Sequence, residues 1–252
     1  MASCERWRGR IALVTGASGG IGAEVARALA RSGLKVALLA RRRDRLDALA
    51  AELDAEGAIT MPCEADLASE ESVLAAFRRV EAAWGSVDVL VNNAGTGMMA
   101  TLEEGAWEDW RETLNVNVAG PALCARAALR GMRGKAEAQI INIGSIYGHR
   151  EQVPAFSFYQ ASKFAVRALT NTLRAELFAQ GTKVRVGMIS PGMVATEFRG
   201  RASGGVLSYE SYFEKFHPLL PSDIADAVLY ILSTPPHVQV QDILLSPIGQ
   251  GL

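Results

Sequence analysis

The chain has 252 residues, 49% of them hydrophobic, and a formal net charge of −1 at pH 7. That size suits one large domain with a substantial core, and the balanced charge excludes a nucleic-acid binder, which needs a clustered basic excess. No apolar stretch approaches the ~18 residues of a membrane-spanning helix, and the opening MASCERWRGR has no apolar run of the signal-peptide kind.

Short apolar runs alternate with helical stretches nearly to the end. Residues 11–15 read as a buried strand, 22–31 as a helix, 35–40 as the next strand and 44–56 as the next helix. Strands at 58–63 and 87–91 flank a helix over 70–84. A long helix over 107–132, a strand at 138–143, a helix over 158–178 and a strand at 183–189 follow. A helix at 222–233 and a strand near 243–245 close the series. Strands that are apolar throughout, each followed by a helix, predict a parallel sheet covered on both faces. This is an α/β, doubly wound, Rossmann-type fold of about seven strands in a single domain over 1–252. The one long irregular stretch, 200–221, carries Val206, Leu207, Tyr209, Tyr212, Phe213 and Phe216. It reads either as a helix packed on the core or as a lid over an apolar substrate.

Three local patterns carry chemistry. Thr15-Gly16-Ala17-Ser18-Gly19-Gly20-Ile21-Gly22 joins the first strand to the first helix. Glycines admit positive φ and a close backbone approach, and a helix N-terminus offers amide donors to a pyrophosphate. Gly16, Ser18, Gly20, Ile21 and Gly22 are therefore candidate dinucleotide contacts. At the end of the second strand, where NAD enzymes place an acid for the ribose, Arg41 and Arg42 follow Ala40. Guanidinium groups there suit the 2′-phosphate of NADP(H), with Arg41 favoured and Arg42 next. Lastly, Tyr159 and Lys163 stand four residues apart on one helical face. A nearby cation favours an ionised phenol, which predicts a lowered Tyr159 pKa and a usable proton donor and acceptor. His149, His217 and His237 show no ligand spacing, and no metal is predicted. Of these, His149 is either a substrate contact or a structural histidine. Cys4, Cys63 and Cys124 read as free thiols, two of them buried, in a reducing compartment.

In this order and spacing, the motifs resemble those of the short-chain dehydrogenase/reductase family over nearly the whole chain. The glycine loop comes first. Asp66 in Ala65-Asp66-Leu67 resembles the acid that contacts the adenine, with Leu67 beside it. Asn92-Asn93-Ala94-Gly95 resembles the family's cofactor-flanking motif, through Asn93, Ala94 and Gly95. Asn117-Val118-Ala119-Gly120 resembles the motif carrying the helix-four asparagine; Asn115 is the alternative, and the spacing to Gly120 selects Asn117. Ser145, Tyr159 and Lys163 complete a tetrad, although Ser145 and Tyr159 are slightly further apart than is commonest. Pro191-Gly192-Met193-Val194-Ala195-Thr196 resembles the segment holding the nicotinamide carboxamide, through Pro191, Gly192, Val194 and Thr196. The tail from Ser233 to Pro247 resembles a cytosolic NADP-dependent branch that takes in insect farnesol dehydrogenases and bacterial 3-hydroxy-acid or clavulanate-type dehydrogenases.

The resemblance implies an NADP(H)-dependent oxidoreductase that moves hydride between the nicotinamide and a carbonyl or alcohol carbon of a small, apolar substrate. Within it Tyr159 donates the proton, Ser145 hydrogen-bonds the reacting oxygen, Lys163 holds the nicotinamide ribose, and Asn117 fixes a water linking Lys163 to solvent. It further implies a cytoplasmic homodimer or homotetramer built on the two long helices. Ala119, Ala122, Ala125, Ala127 and Ala128 on the first, with Ala161, Ala165 and Ala168 on the second, suit close helix approach. A non-catalytic NADP(H)-sensing or scaffold protein on the same fold is the rival reading, against which the intact tetrad argues. A sugar-nucleotide epimerase is a third, against which the short C-terminal region and the Gly16-x-x-x-Gly20 spacing argue.

Overall fold

A computed structural model describes residues 4–150, 156–205 and 217–250. The aromatic-rich residues 206–216, on which the lid expectation rests, lie outside this set. Among the described residues, seven strands pair in the order β3-β2-β1-β4-β5-β6-β7, and every neighbouring pair is parallel. The strands are β1 (Ile11–Thr15), β2 (Lys35–Ala40), β3 (Ile59–Glu64), β4 (Val89–Asn92), β5 (Ala138–Ile143), β6 (Val184–Pro191) and β7 (Asp242–Leu245). No described helix is long and apolar enough to cross a membrane.

Side-chain alternation on these strands feeds two cores. Ala12, Val14, Val36, Leu38, Val89 and Val91 point to the layer holding α1 (Gly20–Arg31), α2 (Arg43–Ala55) and α8 (Pro221–Ser233). Leu13, Ala37, Leu39, Leu90 and Ile140 point to the layer of α3 (Glu70–Trp84), α5 (Gly120–Met132) and α6 (Ser157–Ala179). Each fully buried Val or Leu contributes about 1.5–3 kcal/mol of transfer free energy. The strand β1, buried at all five positions, accordingly lies inside the sheet, between β2 and β4. At the opposite end from the glycine loop, Trp7 is fully buried and its indole N–H donates to the Leu232 carbonyl at 2.9 Å.

The long helix predicted over 107–132 is not continuous. It is α4 (Trp107–Leu114), a π turn over Asn115–Ala119, then α5. Pro121 has no N–H for the carbonyl of Asn117 four residues back, and its ring crowds that carbonyl, so the backbone widens to an i→i+5 turn. The Gly120 N–H accordingly donates to the Asn115 carbonyl. The irregular stretch after β6 also contains a short helix, α7 (Phe198–Ala202), absent from the prediction.

Strand order reverses at β1, which has β2 on one side and β4 on the other. Ligands of open α/β sheets bind outside the carboxyl ends of the strands at such a switch point. A cleft of about 280 Å³ opens there.

Candidate active site

The cleft floor is the glycine loop. Gly16 and Gly20 take φ of 69° and 54°, the left-handed region that disfavours side chains. A Cβ on Gly22 would lie 2.3 Å from the Gly16 carbonyl oxygen and 2.4 Å from Asn93 Nδ2, so this turn closes only around glycine. Asn93 braces it, its Nδ2 donating to the Thr15 carbonyl at 2.9 Å. The Thr15 hydroxyl accepts from the N–H groups of Asn93 and Ala94, each at 3.0 Å. Sequence motifs far apart in the chain thus form one backbone cradle.

At the end of β2 the two arginines diverge. Arg42 turns back onto the loop, donating from Nε to the Ser18 hydroxyl and from Nη2 to the Ser18 carbonyl, both at 3.1 Å. Arg41 lies over the cleft mouth, 3.4 Å from Glu112 in an exposed pair. Both line the cleft, with Asp66, Leu67, Ala94 and Gly95. The Asp66 carboxylate also accepts from the Ala68 N–H at 3.0 Å, which fixes its turn after β3.

The tetrad residues converge. Ser145 follows β5 and caps a 3-10 turn over Ile146–Gly148, its hydroxyl accepting from the Tyr147 N–H at 3.2 Å. Gly148 is pressed against α6, where a Cβ would lie 2.8 Å from the Lys163 carbonyl, so turn and helix hold a fixed spacing. The Tyr159 hydroxyl hydrogen-bonds Ser145. Lys163 is 5% exposed; its ammonium donates to the Ile143 carbonyl at 3.1 Å and lies 5.5 Å from the Tyr159 ring centroid. Asn117 is fully committed: Oδ1 accepts from the Thr96 N–H at 2.8 Å, and Nδ2 donates to the Thr96 carbonyl at 2.8 Å and the Ser162 hydroxyl at 2.9 Å.

The electrostatics differ from the expected pattern. Burial dominates at Tyr159 and holds its pKa well above the ordinary phenol value. The opposing pulls come from the Ser145 hydrogen bond and the Arg199 charge, while the neighbouring Tyr147 adds to the rise. The expected lowering by Lys163 is therefore absent: burial takes the ammonium itself down to about 8. A phenol held protonated and bonded to a serine is set as an acid.

Pro191, Gly192, Val194 and Thr196 line the cleft on leaving β6. The Thr196 methyl would lie 3.1 Å from a Cβ on Gly20, so this segment rests on the glycine loop. Gln250, absent from the sequence prediction, accepts from the Met193 N–H at 2.9 Å. Tyr147, Phe156, Phe198 and Arg199 were missed as well. The Phe156 and Phe198 ring centroids stand 5.8 and 5.2 Å from that of Tyr159, and the Arg199 guanidinium is 5.8 Å from the Phe156 ring. Aromatic residues inside Tyr-x-x-x-Lys flanks carry no pattern that separates cleft wall from core. His149 takes its structural role: Nε2 lies 3.0 Å from the Ser190 hydroxyl and 3.1 Å from Asp242, tying the 3-10 turn to β6 and β7.

Comparison with known proteins agrees with this geometry. Residues 10–205 match the model of the family described as short chain dehydrogenase. The dehydrogenase/reductase SDR family member 11 of Bos taurus is 44% identical over 252 residues, covering 98% of this chain and 99% of that protein. The farnesol dehydrogenase of Aedes aegypti is 41% identical over 254 residues, with 98% and 99% covered. Among solved structures, an alcohol dehydrogenase of the archaeon Thermococcus sibiricus, complexed with 5-hydroxy-NADP, superimposes with a TM-score of 0.86 at 35% identity. It covers 96% of this chain and 98% of that one.

Proposed function

The chain belongs to the short-chain dehydrogenase/reductase family and is an oxidoreductase of CH–OH groups; from that premise we propose that it is an NADP(H)-dependent reductase of carbonyl groups on a small, largely apolar substrate. The observation that carries the reading is Tyr159, held protonated by burial and bonded to Ser145, at one end of a cleft whose other end is glycine loop and arginine.

The residues present fit the cofactor. Gly16 and Gly20 present bare backbone to the cleft, Gly22 lets the turn behind them close, and Ser18, Arg41 and Arg42 supply the donors that a 2′-phosphate requires. Asp66 and Leu67 would hold the adenine, Asn93, Ala94 and Gly95 the middle of the molecule, and Pro191, Gly192, Val194 and Thr196 its nicotinamide end. When bound, the nicotinamide supplies or accepts the hydride. Everything else falls to the chain. Tyr159 gives its proton to the carbonyl oxygen as charge develops there, and Ser145 donates a hydrogen bond to the same atom. The Lys163 ammonium holds the nicotinamide ribose. With its side chain spent on Thr96 and Ser162, Asn117 contributes to proton resupply through its main-chain carbonyl, which Pro121 leaves without the usual helical donor. Tyr147, Phe156 and Phe198 form the apolar wall for the substrate.

The relatives support the substrate class through their names, one a farnesol dehydrogenase, and the coenzyme through the NADP analogue in the archaeal structure. Titration of NADPH and NADH against wild type and the Ala40→Asp, Arg41→Ala double variant tests the coenzyme assignment. The expected result is a preference for NADPH in the wild type that the variant reverses, since its carboxylate repels phosphate and accepts ribose hydroxyls. An unchanged preference moves the phosphate contact to Arg42.

A further inference from the structure

The corner around Ser18 that would read the phosphate holds an anion of the chain's own. Glu197, the residue after Thr196 and the first of the turn leading into α7, pairs with Arg42 at 3.2 Å. Both its oxygens also reach Arg45 Nη1, at 2.9 and 3.1 Å. The two guanidinium groups lie over Gly19, where a Cβ would meet Arg42 Nη2 at 3.2 Å and Arg45 Nη1 at 3.8 Å. Arg201, one turn beyond Glu197, lies in the field of Arg42, Arg45 and Arg41 as well as that of Glu197. Arg42 and Arg45 thus hold one carboxylate, with Arg201 in its field. Hydrogen bonds from Arg45 and Arg42 keep that carboxyl below its ordinary pKa and therefore ionised near neutrality.

Carboxylate and phosphate monoester compete for the same guanidinium edges, because both present paired oxygens to the planar fork. At neutral pH the phosphate carries close to two charges, so a carboxylate beside it is repelled as well as displaced. We infer that Glu197 is a specificity-determining residue: an internal competitor for the 2′-phosphate that sets how strongly the enzyme prefers NADP(H) over NAD(H), and that exchanges its hold on Arg42 and Arg45 when the phosphate arrives. Thr196 and Glu197 lead from the nicotinamide segment into α7, which places Phe198 on Tyr159. The exchange therefore links the identity of the coenzyme to the first turn of the substrate wall. This inference rests on the NADP(H) reading above.

The test uses Glu197→Gln, which keeps shape and removes charge, with binding as its readout. Trp fluorescence follows NADPH and NADH, and calorimetry follows 2′,5′-ADP and 5′-AMP, which differ only in the 2′-phosphate. The expected result is that the variant raises the affinity ratio of NADPH to NADH, and of 2′,5′-ADP to 5′-AMP, by about threefold to tenfold. A wild type that prefers NADPH and a variant whose ratio is unchanged or lower would overturn the inference and leave the coenzyme assignment standing. A wild type with no preference that acquires one in the variant would support the competitor and correct the assignment. No preference in either protein removes both.

Discussion

Lys163 is the residue whose ionisation the structure alters most consequentially. Its ordinary value is 10.5, and burial lowers it to about 8. Below about pH 8 the folded chain bears the cost of a charged, buried ammonium; that cost fades as pH rises from about 8 toward 10.5, so this group's contribution to stability improves across that window. Coenzyme affinity should move the other way, since the ribose contact uses the cation. NADPH affinity is expected to fall as pH passes about 8 in the wild type and to show no such step in Lys163→Met, measured by fluorescence titration. Urea melts of the two proteins between pH 8 and 10 check the stability half. At this scale the sequence was informative about which residues meet and less so about their charges. A Tyr-x-x-x-Lys step places two side chains on one face, but the field each feels depends on what buries it. Arg199, whose charge opposes the rise at Tyr159, comes from a helix no pattern announced. Likewise the spacing could place both Arg41 and Arg42 at the end of β2, but not which of them turns onto Ser18.

Among the elements, the turn from β1 into α1 is the most constrained. Gly22→Ala would press a methyl group against the Gly16 carbonyl and the Asn93 amide at once. Neither can retreat, because Asn93 is bonded to Thr15. The expected cost is about 3 kcal/mol or more, an overpacking penalty at the upper end of its range. It should lower Tm by roughly 6–12 °C in calorimetry for a chain of this size and weaken coenzyme binding in parallel. The strands were readable because nearly all are apolar on both faces, as only a sheet covered twice requires. Helix α6 was readable from its periodicity. The π turn between α4 and α5 was not, although Pro121 stood in plain sight, since apolar periodicity continues across it and one proline inside a helix signals a kink without its form. Helix α7 escaped because five residues are too few to establish a period.

For the whole molecule, the stripe of small residues divides. Ala125, Ala127 and Ala128 pack on the sheet, whereas Ala119, Ala122, Ala161 and Ala168 are exposed. Phe178 near the end of α6 is 88% exposed and Leu169 is 41% exposed. Exposed small residues along the π turn, α5 and α6, with exposed apolar ones on α6, suit a two-fold interface in which each patch meets its own copy. Light scattering at micromolar concentration is expected to give at least twice the 26.9 kDa chain mass; a single chain mass would reject the pairing. The account as a whole stands on Tyr159 as proton donor in a coenzyme-binding cleft. Its most direct test is NADPH oxidation with a panel of apolar ketones by wild type and Tyr159→Phe, with coenzyme binding measured in the same samples. The account predicts equal NADPH binding and turnover lower by about 10²–10⁴-fold in the variant. Retention of more than about a tenth of wild-type turnover, far above what loss of a general acid allows, would contradict it.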